Sequence, residues 1–290
     1  MKNFLWNPYA SLLVLALLAS GCTDDGLPKY NVLGELRVLA LVSQPAEVNP
    51  GDTVTVTPLV SALSETTSLH YQALVCLDPG VSLGVEPTCA NSASKVELAN
   101  TNISTLNTTV AFTGVADALT FTVPDATTLF SLRSPHVLYN GVSYLFEYIL
   151  QNSSGVSVKS FKRILVSDPT KTTKNSNPVI ADILLNSVSA TTLPLGTKNA
   201  IQLSYTTSQS ESYTKMNSKF VLTNEQEELV TTWFISDGKM KYQRSLGTDS
   251  NEYEGPASAP LTRPAFIIAV VRDGRGGVGY LLKKLLKGCW

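Results

Sequence analysis

Histidine is nearly missing from this chain: His70 and His136 are the only two among 290 residues. So few imidazoles leave little material for a histidine-rich metal centre or for imidazole acid–base chemistry. Charge is scarce as well. Charged residues make up 16% of the chain, against about 25% in an average soluble domain. That excludes a self-repelling disordered polymer. Excess positive charge is absent, since 22 Lys and Arg face 23 Asp and Glu. A nucleic-acid partner is therefore not expected, for want of a basic stripe. No Cys-x-x-Cys pair occurs and the histidines lie far from the cysteines, which disfavours zinc. Beyond the N-terminal segment no long amphipathic helical pattern is visible.

What is there begins at the N-terminus. Lys2 is the one positive charge before an apolar run, Ser11 to Ala19 (SLLVLALLA), and the small residues Ser20 and Gly21 lead into Cys22. As a helix such a run spans about 15 Å, half of the ~30 Å hydrocarbon core. It reads as the h-region of a signal peptide and not as a membrane span. The order Leu18-Ala19-Ser20-Gly21-Cys22 resembles the lipobox of bacterial lipoproteins. The resemblance implies cleavage before Cys22 and acylation of that residue. The alternative is an ordinary secretory signal with a chance cysteine. Two or three acyl chains, at roughly 0.8 kcal/mol per buried CH₂, hold a protein firmly to a bilayer. Thr23 follows the cysteine where an aspartate would favour inner-membrane retention, so the outer membrane is the expected location. Asp24 and Asp25 weaken that reading. Residues 23–34 carry Gly, Pro and charge and read as a tether.

With Cys22 acylated, Cys76, Cys89 and Cys289 remain. An exported compartment permits disulfides. Cys76 and Cys89 bracket CLDPGVSLGVEPTC, whose prolines and glycines favour closure, and the bond is expected to contribute roughly 3 kcal/mol. Cys289 is left over, either free or paired between chains.

After residue 35 the pattern is β throughout. Short runs rich in Val, Ile, Leu, Thr, Tyr and Phe alternate with Gly, Pro, Asn, Asp and Ser clusters. Strands are expected at 36–43, 53–60, 69–76 and 119–123, followed by a hairpin of 144–151 and 156–166. Residues 167–178 (SDPTKTTKNSNP) contain no apolar side chain except proline and read as a linker. Strands then restart at 179–185, 200–206, 219–222, 228–236 and 265–272. The turn Asp273–Gly277 joins the last of these to 278–286. The expected fold class is all-β, with two tandem immunoglobulin-like β-sandwiches after a lipoprotein signal peptide. The expected boundaries are signal peptide 1–21, tether 22–34, first sandwich 35–167, linker 168–178 and second sandwich 179–290. Charge divides unevenly: residues 22–168 hold 7 basic and 13 acidic groups, whereas residues 169–290 hold 14 and 10. A docking surface would explain the division; so would compositional scatter.

Three stretches carry a family resemblance: LRVLALVSQPAEVNPGDTVTVTPLV from Leu36, the segment Glu227 to Gly238 with Trp233, and VVRDGRGGVGY at 270–280. Together with the lipobox they resemble a group of predicted lipoproteins of myxobacteria and related predatory bacteria. Tyr253 stands where that group's pattern leads one to expect tryptophan. The resemblance implies two immunoglobulin-like domains on a lipid anchor and implies no activity.

Candidate chemistry is thin. Gly80-Val-Ser82-Leu-Gly84 matches the nucleophile-elbow spacing Gly-x-Ser-x-Gly. That mechanism needs a strand–turn–helix, and no helical pattern follows. Asp249, Asn251, Glu252 and Glu254 offer oxygens of the kind Ca²⁺ takes, without EF-hand spacing; a polar loop is the simpler reading. Asp273–Gly277 lacks the Lys-Ser/Thr of a phosphate loop. Trp233 and Phe234, adjacent on a strand, point to opposite faces. One is expected in the second core and the other at an interaction surface or against the first domain. Leu281–Lys287 (LLKKLLK) reads as a final strand, the alternative being a short amphipathic turn at a membrane surface. The expectation is thus a non-enzymatic, lipid-anchored envelope protein without cofactor or metal. It would bind the membrane through Cys22 and a protein partner through sandwich edges or loops. A surface adhesin is the alternative, and an unrecognised hydrolase a remoter one.

Overall fold

The first strand of each half leaves its sheet and hands the chain to the opposite one, and this device organises the whole molecule. The computed structural model describes residues 30–63, 68–81, 83–103, 113–206, 210–260 and 264–286. Cys22, Ser82 and Cys289 lie outside the described residues, as does the lipobox. Residues from Asn31 onward belong to one unit.

In the first half the strands are β1 (Arg37–Gln44), β2 (Glu47–Val48), β3 (Thr53–Ser61), β4 (His70–Leu77), β5 (Val96–Asn102), β6 (Thr113–Val115) and β7 (Leu119–Thr122). Two one-turn helices follow, α1 (Ala126–Phe130) and α2 (Pro135–Asn140), and then β8 (Val142–Gln151) and β9 (Ser157–Val166). One sheet pairs β1 with β3 and β3 with both β6 and β7; the other runs β2-β9-β8-β4-β5. Between β1 and β2 the chain crosses a cis Gln44–Pro45 bond, and β2 then lies parallel to β9. The core between the sheets holds Val54, Val56, Tyr71, Phe121, Phe146, Tyr148 and Ile164. The alternation expected for Thr53–Val60 holds through Thr57, with Val54 and Val56 wholly buried, and gives way to an unbroken buried run from Pro58 to Ser61.

The second half contains β10 (Ile180–Leu185), β11 (Val188–Ser189), β12 (Lys198–Tyr205), β13 (Ser212–Met216), β14 (Leu222–Gln226), β15 (Val230–Ile235), β16 (Lys239–Met240), β17 (Arg244–Leu246), β18 (Asn251–Glu254), β19 (Ala265–Arg272) and β20 (Val278–Leu285). Its sheets run β11-β10-β12-β18-β16 and β17-β15-β19-β20, and β13 and β14 form a separate hairpin. Past β11 the chain crosses over, and Thr192 bridges Leu286 in parallel, as β2 bridges β9. Both halves are therefore β-sandwiches with an immunoglobulin-like strand arrangement, and among the described residues the fold is all-β apart from the two short helices.

Several local expectations are corrected. Residues 219–222 do not form a strand of their own: 219–221 make the tip of the β13–β14 hairpin, with Phe220 in the left-handed region at φ 61°, and Leu222 opens β14. The acidic segment 249–254 is no open loop. Its end forms β18, with Asn251 and Tyr253 turned inward. Strands β5 and β14 are mostly exposed and β13 is half-buried with mixed side chains, so no apolar alternation announced them.

Candidate functional site

Two strands are apolar on both faces, and they locate the seam between the sandwiches. Along β19, Ile267, Ala269 and Val271 enter the second core, while Ile268 and Val270 turn to the other side. Such an unbroken apolar run is what a doubly covered strand requires. On β1 the register slips between Val38 and Ala40. The extra residue lets neighbours Leu39 and Ala40 share one apolar cluster. That cluster joins Leu33, Leu39, Ala40 and Leu59 to Phe234, Ile268, Val270 and Val278. Trp233 and Phe234 part company as alternation requires. Trp233 is fully buried in the second core, its indole N–H donating to Ser245 Oγ at 3.0 Å. Phe234, 2% exposed, packs in the seam. Neither is a free surface for an outside partner.

A ring of polar groups closes the seam, and the segment expected to be a linker supplies half of it. Lys171 Nζ donates to Glu47 Oε1 at 2.6 Å and Asn175 N to Glu47 Oε2 at 2.7 Å. Asn175 Nδ2 donates to Asp273 Oδ2 at 2.8 Å. Asn177 Nδ2 reaches Ser43 O at 2.8 Å, and its oxygen accepts from Val278 N at 2.8 Å. Residues 168–178 are thus strapped down, with Lys171 and Asn175 each 4% exposed. Two glycines make room for the strap. A Cβ on Gly277 would stand 2.7 Å from Ser176 O, and one on Gly279 would stand 2.0 Å from Pro178 O. The Asp-Gly-Arg-Gly-Gly turn therefore serves close packing as well as turning. Its Asp273 Oδ1 accepts from the amides of Arg275 and Gly277 at 2.8 and 2.9 Å.

Arg275 leaves this turn with its side chain 10% exposed. It pairs with Glu227 at 2.6 Å, stands 3.8 Å from Glu47 and lies 4.0 Å over the Tyr213 ring. Burial raises the Glu227 carboxyl, and Asp273 adds to that, while Arg275 and the Glu211 amide oppose it. From β9, Lys162 donates to Gly276 O across the seam, and burial lowers its ammonium to about 8. These carboxylates are engaged by amides and cations. The arrangement is suited to holding two sandwiches in register.

The disulfide loop is the second constellation. Cys76 and Cys89 are bonded, with Cα atoms 5.6 Å apart, and both are buried with Leu74 and Leu145. Beneath the loop, Glu147 accepts from Cys89 N at 2.5 Å and from Thr88 Oγ1, and pairs with Lys159 at 2.9 Å. Burial alone would raise the Glu147 carboxyl, but Lys159, the Cys89 amide and Thr88 together hold it low. Arg163 ties the loop's other flank, bonding Asp78 at 2.6 Å and Gly80 O at 3.0 Å. So fixed, the loop displays Val81, Leu83 and Val85 at 86%, 103% and 65% exposure. The nucleophile-elbow spacing falls in this loop. The next helix among the described residues is α1, far along the chain, so Gly80 and Gly84 serve a turn and not a strand–turn–helix.

The remaining candidates scatter. His70 begins β4 opposite Gln151 and Asn102. His136, on α2, has Nδ1 3.0 Å from Ser134 Oγ and its ring 6.1 Å from Phe220. Asn251 spends its amide on Tyr242, accepting from Tyr242 N and donating to Tyr242 O, and Glu252 pairs with Lys198 at 3.1 Å. No group of three or more His, Cys, Asp or Glu that could hold a metal ion occurs among the described residues. Sequence reasoning missed the seam's polar ring and the hairpin contact with α2. The double-sided run AFIIAVVR was the available signal for the seam.

No protein-family model matches the chain. No curated protein matches it either. Among solved structures it is similar to Escherichia coli alpha-2-macroglobulin activated by porcine elastase, at 10% identity and TM-score 0.29, over 90% of this chain and 22% of that one. It is also similar to the sporulation control protein Spo0M of Bacillus subtilis, at 12% identity and TM-score 0.26, over 87% of this chain and 91% of that one. The chain thus spans about a fifth of the macroglobulin. Likeness this slight transfers neither fold nor function.

Proposed function

We propose that this chain is a lipid-anchored envelope protein of the kind its sequence resembles, predicted myxobacterial lipoproteins with tandem immunoglobulin-like domains. It works without catalysis, as a binding or scaffolding module at the outer membrane. The observation that supports this most is the disulfide-closed loop. Its base is tied by Glu147 and Arg163, and its apolar end, Val81, Leu83 and Val85, is held out to solvent. Apolar side chains held in solvent by a rigid base are a feature of binding surfaces, because loops on a rigid scaffold carry recognition. The seam adds to the reading. It spends the buried charges of Glu47, Lys162, Lys171, Glu227 and Asp273 on keeping two sandwiches fixed, which suits a spacer or platform.

The anchor is tested with Cys22→Ser. Wild-type chain expressed in a Gram-negative host should incorporate labelled palmitate and fractionate with envelopes. The variant should do neither. Retention of both by the variant would overturn the reading. The loop is tested by crosslinked capture from membranes, where Val81→Asp with Leu83→Asp should remove the captured partner without lowering the melting temperature. Protease shaving of intact cells separates a surface adhesin, which would be lost, from a periplasm-facing subunit, which would survive.

A further inference from the structure

The hairpin formed by β13 and β14 belongs to neither sheet of its sandwich. Asn217 organises the tip. Its side-chain oxygen accepts from Lys219 N at 2.9 Å and Val221 N at 3.1 Å, and its carbonyl accepts from Phe220 N at 2.9 Å. Its own amide donates to Val221 O at 3.0 Å. The turn holds Phe220 at φ 61°, a conformation costly for a bulky side chain and found mostly where a fold has a use for it. Phe220, Val221 and Leu222 follow in sequence and are 57%, 54% and 49% exposed.

The hairpin is clamped along β13 up to the residue that precedes the tip. Tyr139 Oη meets Thr214 Oγ1 at 2.6 Å, Asn140 Nδ2 donates to Met216 O at 2.7 Å, and Met216 N donates to Asn140 Oδ1 at 2.9 Å. The clamp holds the tip beside α2, with the Phe220 ring 6.1 Å from that of His136, and leaves the three apolar residues about half exposed. The charge pattern along it is polarised. Lys215 and Lys219 are exposed near the tip, and residues 212–224 contain no acid. The acids Glu211 and Glu227 lie at the foot, facing Arg275.

We propose that this tip inserts into the interfacial layer of an anionic bilayer. Phe220, Val221 and Leu222 enter the acyl boundary, while Lys215 and Lys219 meet the headgroups. Two features favour lipid over a protein partner. The apolar residues sit on a convex turn, which a deformable medium accommodates and a flat protein face does not. Cations flanking apolar residues match the amphipathic profile of the interface. The setting rests on the anchored-envelope reading. The tip would then set how the anchored body faces its membrane.

The test uses the chain from residue 22 onward carrying Cys22→Ser, so that acyl chains contribute nothing. It should sediment with phosphatidylglycerol–phosphatidylethanolamine vesicles at low salt. Phe220→Ser with Val221→Ser should weaken partitioning by at least about tenfold, given the transfer free energy of two apolar side chains. Lys215→Glu with Lys219→Glu should weaken it comparably. All four positions are exposed, so folding should survive, and circular dichroism checks this. In a separate chain, Phe220→Trp should give emission that shifts to the blue with these vesicles and is quenched by brominated acyl chains. Absence of sedimentation, sedimentation unchanged by the tip substitutions, or an unquenched indole would overturn the proposal. So would capture of a protein through the tip without vesicle binding. Palmitate labelling of wild-type chain is a separate readout, so failure of the anchor and failure of the tip are distinguishable.

Discussion

Lys171 and Glu47 form an ion pair of 2.6 Å whose side chains are 4% and 0% exposed. It ties the strap between the sandwiches to the short strand β2 of the first. Removing one partner of such a pair leaves a desolvated charge, which typically costs about 3–5 kcal/mol. Lys171→Met should therefore lower stability by that amount in urea unfolding. Replacing both, with Glu47→Gln and Lys171→Met, should cost clearly less than the single change. Equal losses would mean that the strap is held by its other bonds alone.

Lys162 gives the seam a pH dependence. Burial lowers its ammonium from the ordinary 10.5 to about 8, with Asp273 opposing the shift and Arg272 adding to it. Between those values the unfolded chain holds a proton that the folded chain has released. Stability from this group therefore rises with pH across the window. Below about 8 the penalty for burying the ammonium is fully present. The rise should be on the order of 3 kcal/mol. Unfolding free energies of wild type and Lys162→Met, measured from pH 7 to 10.5, should converge as the wild type gains. Parallel curves would show that the ammonium is not desolvated.

Much of the frame could be read from residue pattern, and the reasons are specific. Thr53–Thr57 alternates because one face is core and the other is not, and the alternation stops at Leu59, whose face the seam covers. AFIIAVVR does not alternate because both faces of β19 are covered, one by the second core and one by the seam. Trp233 and Phe234 divide between those two environments by period two alone. The strap was misread for an equally physical reason. Its polar composition is that of a tether, and nothing local reveals that Lys171 will meet a carboxylate 124 positions away. The hairpin β13–β14 escaped because its side chains are largely exposed and obey no apolar period.

Phe234 is the aromatic anchor of the seam, packed with Ile268 and Val270 against Leu39 and Leu59. Phe234→Ala should cost about 3–5 kcal/mol through lost burial and residual cavity. The loss should fall on the contact between sandwiches and not within either core. Calorimetry should then resolve two transitions where the wild type gives one. Trp233→Ala removes a side chain from inside the second core instead, and should lower the melting temperature of that sandwich alone in a chain already carrying Phe234→Ala. A single, merely earlier transition for Phe234→Ala would show that the polar ring suffices to couple the two halves.

The bond between Cys76 and Cys89 closes a loop with a sequence separation of 13, a length for which chain entropy assigns about 3 kcal/mol. Cys76→Ala with Cys89→Ala should lose that amount, but the local effect is the more diagnostic one. Cys89 N donates to Glu147, so freeing the cysteine also loosens the carboxylate that organises the loop's foot. Arg163 still holds Asp78 and Gly80 O on the other flank. Limited proteolysis should therefore cut the variant between Val85 and Cys89 well before the tip residues Val81 and Leu83. Cleavage at the same sites and rates as in the wild type would show that the loop is shaped by Glu147 and Arg163 and not by its disulfide.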